Sequence, residues 1–291
     1  MNEIVQSIPA VIEQPLVISG LRRSLGGFWF NLAVFRWQCW APEVCQGAPN
    51  QVAAFIASAS KVAAVAILVR FVAMSGGQSV YLAHTLVALA IITMTVGNLA
   101  ALAQKDFNRL MAYSSIAHAG YLLVGILSMD TAGYASAIFY GLSLMLMKFT
   151  CFLVLVKVST DGGSLQISQL AGLHRRSPML AMALMLSLFG LAGIPPTIGF
   201  TGKLLVFIAA MQNGYGILVL IAMVNVVISL YYYLLVVKAA YLLEPEQELP
   251  PLNVSPADRV LAAVLVTAMV VIGIYPTLFL ALIQEAARLL V

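Results

Sequence analysis

Apolar runs of about twenty residues recur along this chain, and short polar clusters cut between them. The runs lie at roughly 24–41, 50–73, 80–104, 108–129, 133–157, 178–200 continuing toward 212, 214–242 and 258–284. Each is near the ~20 residues that cross a bilayer as a helix. The separators are Pro49 with Asn50, Ser75-Gly76-Gly77, Lys105 with Asp106, Asp130, the loop 161–178 and the acidic, proline-rich stretch 244–256. The pattern predicts an all-α fold, a polytopic transmembrane helix bundle of about eight spans, with a broken helix near 190–203. The first run is the weakest, because Arg36 and Gln38 interrupt it. Residues 166–177 are amphipathic enough to lie at the membrane interface. Residues 1–20 mix Glu3, Glu13, Pro9 and Pro15 with short apolar runs and are too broken to span; they carry no recognisable signal-peptide pattern.

Composition narrows the solvent. Of 291 residues, 62% are hydrophobic and 9% charged, with a mean hydropathy of +0.99. Soluble domains carry about 25% charged residues, so a lipid bilayer is the surrounding that suits this surface. The net charge of +4 is spread over loops and helix ends, which argues against a nucleic-acid partner. Lys105, Arg109, Lys157, Arg175, Arg176, Lys238 and Arg259 fall on one side of the expected spans, the side read as cytoplasmic; Arg22, Arg23, Arg70 and Arg288 fall on the other. Cys39, Cys45 and Cys151 are scattered, without a CxxC pair, and read as packing residues rather than metal ligands.

Polar groups inside apolar spans need a reason, because a charge at the bilayer centre costs roughly 2.5–3.5 kcal/mol on insertion scales. Lys61 lies mid-run in ASASKVA, Lys148 in LMLMKFT, and Lys203 just past GIPPTIGFTG; His118 lies in SSIAHAG. Removal from water disfavours the charged form of an amine, so such a group can take up and release a proton. Joined by hydroxyls and water, several form a relay. Ser58 and Ser60 flank Lys61, Ser114 and Ser115 share the helix face of His118, and Thr150 neighbours Lys148. The plain alternatives are lysines snorkelling to headgroups and a histidine that is a satisfied packing residue. All eleven Asp and Glu fall in loops or near helix ends, which favours protons over sodium as cargo.

Pro195 and Pro196 lack N–H donors, so the carbonyls of Leu191 and Ala192 lose their helical partners. Gly190, Gly193, Gly199 and Gly202 crowd the same region. Irregular backbone at membrane depth is tolerated where protein or a water-filled cavity satisfies it, and broken helices mark ion sites in transporters. A proline kink without function is the competing account.

The runs WAPEVCQGAPNQVAAFIASASKVA (40–63), GNLAALAQKDFNRLMAYSSIAHAGYLLVGI (97–126), GLAGIPPTIGFTGKLLVF (190–207) and SLYYYLLVVKAAYL (229–242) resemble the NADH-quinone oxidoreductase subunit N family, antiporter-like membrane subunits of complex I. The likeness covers about residues 26–290 and implies one proton-translocating transmembrane domain over 24–291, preceded by a segment, 1–23, without a match. It implies other membrane subunits as partners, a multi-pass place in the cell (inner) membrane or an organelle membrane, and no cofactor in this chain, NADH and quinone being used by the whole complex. By position, Lys61 and Lys203 correspond to family lysines, and Lys148 to a lysine of sister subunits.

The resemblance also implies absences. Family members resemble a fourteen-helix protein, so the chain looks N-terminally truncated, lacking the part that would hold the family's membrane glutamate. In the first run the family's lysine, proline and histidine are replaced by Asn31, Arg36 and Gln38, and Asn31 carries no proton at neutral pH. Two other readings stay open: a subunit of a membrane-bound hydrogenase or cation/proton antiporter, which use the same fold, or a non-conducting structural remnant.

Overall fold

The apolar runs fold as helices wherever the i→i−4 ladder is unbroken, and several stop at a proline, a glycine or a left-handed residue. A computed structural model of the chain describes residues 15–74, 80–159, 162–245 and 251–290. The helices, in chain order, are α1 Pro15–Leu32, α2 Trp40–Gly47, α3 Asn50–Ala57, α4 Ala59–Met74, α5 Val80–Leu102, α6 Phe107–Leu127, α7 Thr131–Val158, the single turn α8 Leu173–Arg176, α9 Pro178–Ala192, α10 Ile198–Gln212, α11 Gly216–Leu242, α12 Pro256–Ile274 and α13 Thr277–Leu290. A 3-10 turn, Ile167–Leu170, precedes α8. Among the described residues every regular element is helical. Six stretches among them are long and apolar enough to cross a bilayer, namely Asn50–Ala73, Leu82–Leu102, Phe107–Leu127, Thr131–Val158, Gly216–Leu242 and Pro256–Ile274. The 15-residue helices α9 and α10 are shorter apolar pieces of one interrupted run.

Several expected boundaries shift, each for a local reason. The run 24–41 is not one helix: α1 ends at Leu32, and Ala33 (φ 56°) and Arg36 (φ 78°) turn the chain before α2. The run 50–73 is kinked at Ser58 (φ −120°, ψ −80°). The run 258–284 divides at Tyr275, because Pro276 cannot continue the ladder and biases its predecessor away from helix. Residues 166–177 form two separate turns, interrupted at Gly172 (φ 68°), where the Pro245 ring also leaves little room for a Cβ. Their apolar Leu170 and Leu173 are buried while Gln169 and Arg175 face outward. The expected turn at Ser75-Gly76-Gly77, residues 1–14 and part of the 244–256 loop lie outside the described residues.

Helix α6 is the axis of the bundle, buried along nearly its whole length. Asp106 caps it, its Oδ1 accepting from the Arg109 amide at 2.9 Å. Helix α5 lies against α6 so closely that a Cβ on Gly97 would meet the Ala117 backbone and one on Gly120 the Met94 backbone; small residues allow this approach in lipid, where packing rather than water exclusion drives association. Helices α11 and α12 turn Ile217, Leu220, Val227, Val260 and Val264 outward, a surface suited to acyl chains.

The connecting segments collect at two ends. At one, Phe107 N bonds Leu165 O, Gly172 N bonds Leu243 O, and Leu252 N bonds Arg176 O. Lys157 pairs with Asp258 at 2.6 Å there, and Asn50 holds the Gly163 carbonyl at 2.9 Å. At the other end, Asn213 donates to Asp130 at 3.1 Å. Lys105, Lys157, Arg175, Arg176 and Arg259 thus border the same end of the bundle.

Candidate functional site

The break between α9 and α10 is built by Gly193, Pro195 and Pro196. Gly193 takes φ 88° and closes α9 with bonds from Gly193 N and Ile194 N to Phe189 O. Pro195 and Pro196 follow and supply no donors. The freed carbonyls of Leu191 and Ala192 instead accept from Lys203 Nζ, at 2.8 and 3.0 Å. Helix C-termini carry partial negative charge, so a cation fits there. The crowded glycines make this possible: a Cβ on Gly199 would overlap the Gly190 carbonyl, and one on Gly193 would press on the Lys203 stem.

Lys61 repeats the device at another helix end. Helix α1 stops at Leu32 because Ala33 is left-handed, with Ala33 N and Val34 N bonding back to Phe30 O and Trp29 O at 2.9 Å. Lys61 Nζ then donates to Leu32 O at 2.9 Å. Arg36 stands where the resemblance expects a proline, and the chain still breaks. Asn31 sits beside this junction, its Oδ1 3.4 Å from Ser60 Oγ.

Lys148 reaches from α7 to α6, donating to Met111 O at 2.6 Å and to Ser114 Oγ. His118 is held from both sides, Nδ1 2.6 Å from the Tyr140 hydroxyl and Nε2 3.0 Å from the Tyr233 hydroxyl. The three lysines are 8%, 1% and 4% exposed, for Lys61, Lys148 and Lys203, so none snorkels out of this chain.

Ser58, Lys61, Ser115, His118 and Lys148 line one cavity of about 10 Å³, closed by Ala57, Leu122, Gly141 and Leu144. That is room for about one water molecule with several polar partners. Lys203 does not line it: the Tyr121 ring lies on that side, 5.3 Å from Lys203 Nζ and 5.8 Å, edge-on, from the His118 ring. The arrangement holds three amines and one imidazole within apolar helices, Lys61 and Lys203 on backbone carbonyls and Lys148 and His118 on hydroxyls that can exchange a proton.

The structure redistributes the expected helpers. Ser114 serves Lys148, not His118, and Ser115 faces the shared cavity. Thr150 bonds its own helix at Leu146 O. Pro195 and Pro196 act through the carbonyls they free. Sequence reasoning missed Tyr140, Tyr233 and Tyr121 because tyrosine blends into apolar runs. It also passed over Asn98 and Asn225, both buried; the rule that flagged lysines, a polar group inside an apolar run, flags these amides too.

The family described as "NADH:quinone oxidoreductase/Mrp antiporter, TM" matches residues 2–229, a range that takes in residues 2–23, where the motifs showed no likeness. The chain is 59% identical over 290 residues to NADH-quinone oxidoreductase subunit N 2 of Syntrophobacter fumaroxidans, covering 100% of this chain and 61% of that protein. It is 43% identical to the protein of the same name from Opitutus terrae, covering 94% and 57%. The chain thus spans about three fifths of the length of these curated relatives. Among solved structures, a chain of respiratory complex I from Thermus thermophilus is 31% identical with a TM-score of 0.80, over 96% of this chain and 65% of that one. A chain of the Mrp complex from Dietzia sp. shares the fold with a TM-score of 0.89 at 24% identity, over 99% and 62%.

Proposed function

Since this chain belongs to the NADH:quinone oxidoreductase/Mrp antiporter transmembrane family and is a multi-pass membrane protein, we propose that it moves protons across the cell (inner) membrane as a subunit of a complex I-type NADH:quinone oxidoreductase. The observation that carries this reading is the cavity shared by Lys61, His118 and Lys148, with Lys203 beyond it on the broken helix. Lys61, Lys148 and Lys203 hold and release the proton; His118, Tyr140, Tyr233, Ser114 and Ser115 pass it between them. The chain itself carries out no redox step. NADH oxidation and quinone reduction fall to other subunits of the assembly, which act on these amines through conformation or field. The names of the relatives that share 59% and 43% of aligned residues favour this reading over a cation/proton antiporter assembly, which the likeness to the Mrp chain supports at the level of fold.

The deciding experiment places Lys61→Ala and Lys203→Ala in the assembled complex in native membranes. Both are expected to lower the rate of NADH-driven proton pumping by about a hundredfold, the scale of one proton-transfer group, with inserted protein unchanged. Normal pumping by both variants would falsify the relay.

A further inference from the structure

We propose that the ring of Tyr121 is the third ligand of the Lys203 ammonium, and that Asn98, with Tyr232, is the positioning residue that holds the ring there. The inference rests on the relay reading above and adds what sets the protonation of its terminal lysine.

An ammonium has three N–H donors. At Lys203 two go to the carbonyls of Leu191 and Ala192. The third side of the amine meets the Tyr121 ring, whose centroid is 5.3 Å away, within the ~6 Å at which a ring face attracts a cation. Lys203 is 4% exposed, and a desolvated cation gains more from a ring face than one at a surface. A neutral amine gains little from a ring face. The ring therefore favours the protonated form selectively, and a partner can shift an equilibrium only through such a difference.

Tyr121 is held, not merely packed. Its hydroxyl accepts from Asn98 Nδ2 at 3.2 Å, and Asn98 Oδ1 accepts from the Tyr232 hydroxyl at 2.9 Å. Asn98 Nδ2 also meets Asn225 Oδ1 at 3.1 Å. The Asn225 amide is in turn fixed on Ile221 O at 3.0 Å and Thr95 Oγ1 at 3.3 Å. Two amides buried in apolar helices are costly unless bonded, and both are bonded into this brace between α5, α6 and α11. The titratable group at Lys203 is Tyr121 of α6, with His118 behind that ring and Tyr140 of α7 packed at Gly202; on α11, Tyr232 is turned to Asn98 and Tyr233 to His118, α9 presents its carbonyls, and α12 the Gly273 carbonyl that Thr201 Oγ1 bonds at 2.8 Å.

The test uses the assembled complex in native membranes with Tyr121→Leu, Tyr121→Phe and Asn98→Ala, and Lys203→Ala as control. Proton pumping per NADH is followed from neutral to alkaline pH. Without the ring, the protonated amine loses a contact, so the alkaline limb of pumping is expected about one pH unit lower in Tyr121→Leu. Tyr121→Phe keeps the face and moves the limb less; Asn98→Ala frees the hydroxyl and moves it in the same direction. A wild-type limb in Tyr121→Leu overturns the proposal. If that variant fails to insert, an unmoved limb in Asn98→Ala overturns it instead. Lys203→Ala separates the two ideas: pumping lost there, with an unmoved limb in the others, removes only the ligand role of Tyr121, whereas pumping kept there removes the relay as well.

Discussion

Lys61 donates its amine at 2.9 Å to the carbonyl of Leu32, the last residue of α1. Lys203 does the same for the last two residues of α9. Each buried ammonium caps a helix that stops inside the bundle, one at a left-handed alanine and one at a left-handed glycine followed by two prolines. The helix end receives a cation for its unpaired carbonyls, and the cation receives fixed dipoles in place of water. Neither partner is tolerable alone in lipid, which explains why these lysines and these breaks occur together.

Lys203→Arg is expected not to restore pumping. Guanidinium stays charged at every relevant pH, so it can cap the Leu191 and Ala192 carbonyls but cannot release a proton there. The rate of NADH-driven pumping should match Lys203→Ala, about a hundredfold below wild type, with inserted protein unchanged by immunoblot. Wild-type pumping by the arginine variant would contradict proton release at this position.

Gly199→Ala and Gly141→Ala are expected to part company. A Cβ on Gly199 overlaps the Gly190 carbonyl, and backbone cannot step aside; one on Gly141 meets Leu122 and Val65 at 3.9–4.0 Å. Overpacking costs about 1–3 kcal/mol, so Gly199→Ala should lower the thermal midpoint of the purified protein. Gly141→Ala should leave stability unchanged or raise it by up to about 1 kcal/mol. Because Gly141 borders the cavity, the added methyl should nevertheless slow pumping. Equal midpoints for the two variants would refute the packing argument.

Tyr140→Phe and Tyr233→Phe each leave one nitrogen of His118 without its hydroxyl. An unpaired buried polar atom costs about 1–3 kcal/mol, and pumping should fall in each variant. Both act through one imidazole, so the double variant should lose less than the two losses combined. Additive effects, read from a double-mutant cycle of pumping rates, would show that the hydroxyls act independently.

Asn50→Ala should loosen the loop at the Lys157 end of the bundle. The Asn50 side chain holds the Gly163 carbonyl at 2.9 Å and accepts from Asn108 Nδ2 at 2.8 Å. Its removal should cost about 1–3 kcal/mol and speed limited proteolysis after Gly163, while α6 and α7 stay resistant. Unchanged cleavage would mean that Phe107 N on Leu165 O and Ile167 N on Lys105 O anchor the loop without it.

Much of this protein follows from local pattern. Runs of apolar residues demand lipid, and lysines within them demand partners. Two adjacent prolines must strand the carbonyls of Leu191 and Ala192, whatever surrounds them. These conclusions need only the energy of a charge or an unpaired carbonyl away from water, which neighbouring residues along the chain already reveal.

What the chain order could not reveal is who meets whom. Lys203 filling those two carbonyls is a contact eleven and twelve residues away, but Lys148 on Ser114, His118 between Tyr140 and Tyr233, and Asn98 on Asn225 join residues from different helices. That Lys203 does not line the cavity of Lys61, His118 and Lys148, while the Tyr121 ring lies near both Lys203 and His118, is likewise a matter of helix rotation and depth. In lipid every outward face is equally apolar, so hydropathy says little about which face turns inward. Close packing at glycines and paired buried dipoles make that choice, and they exist only once the helices are assembled.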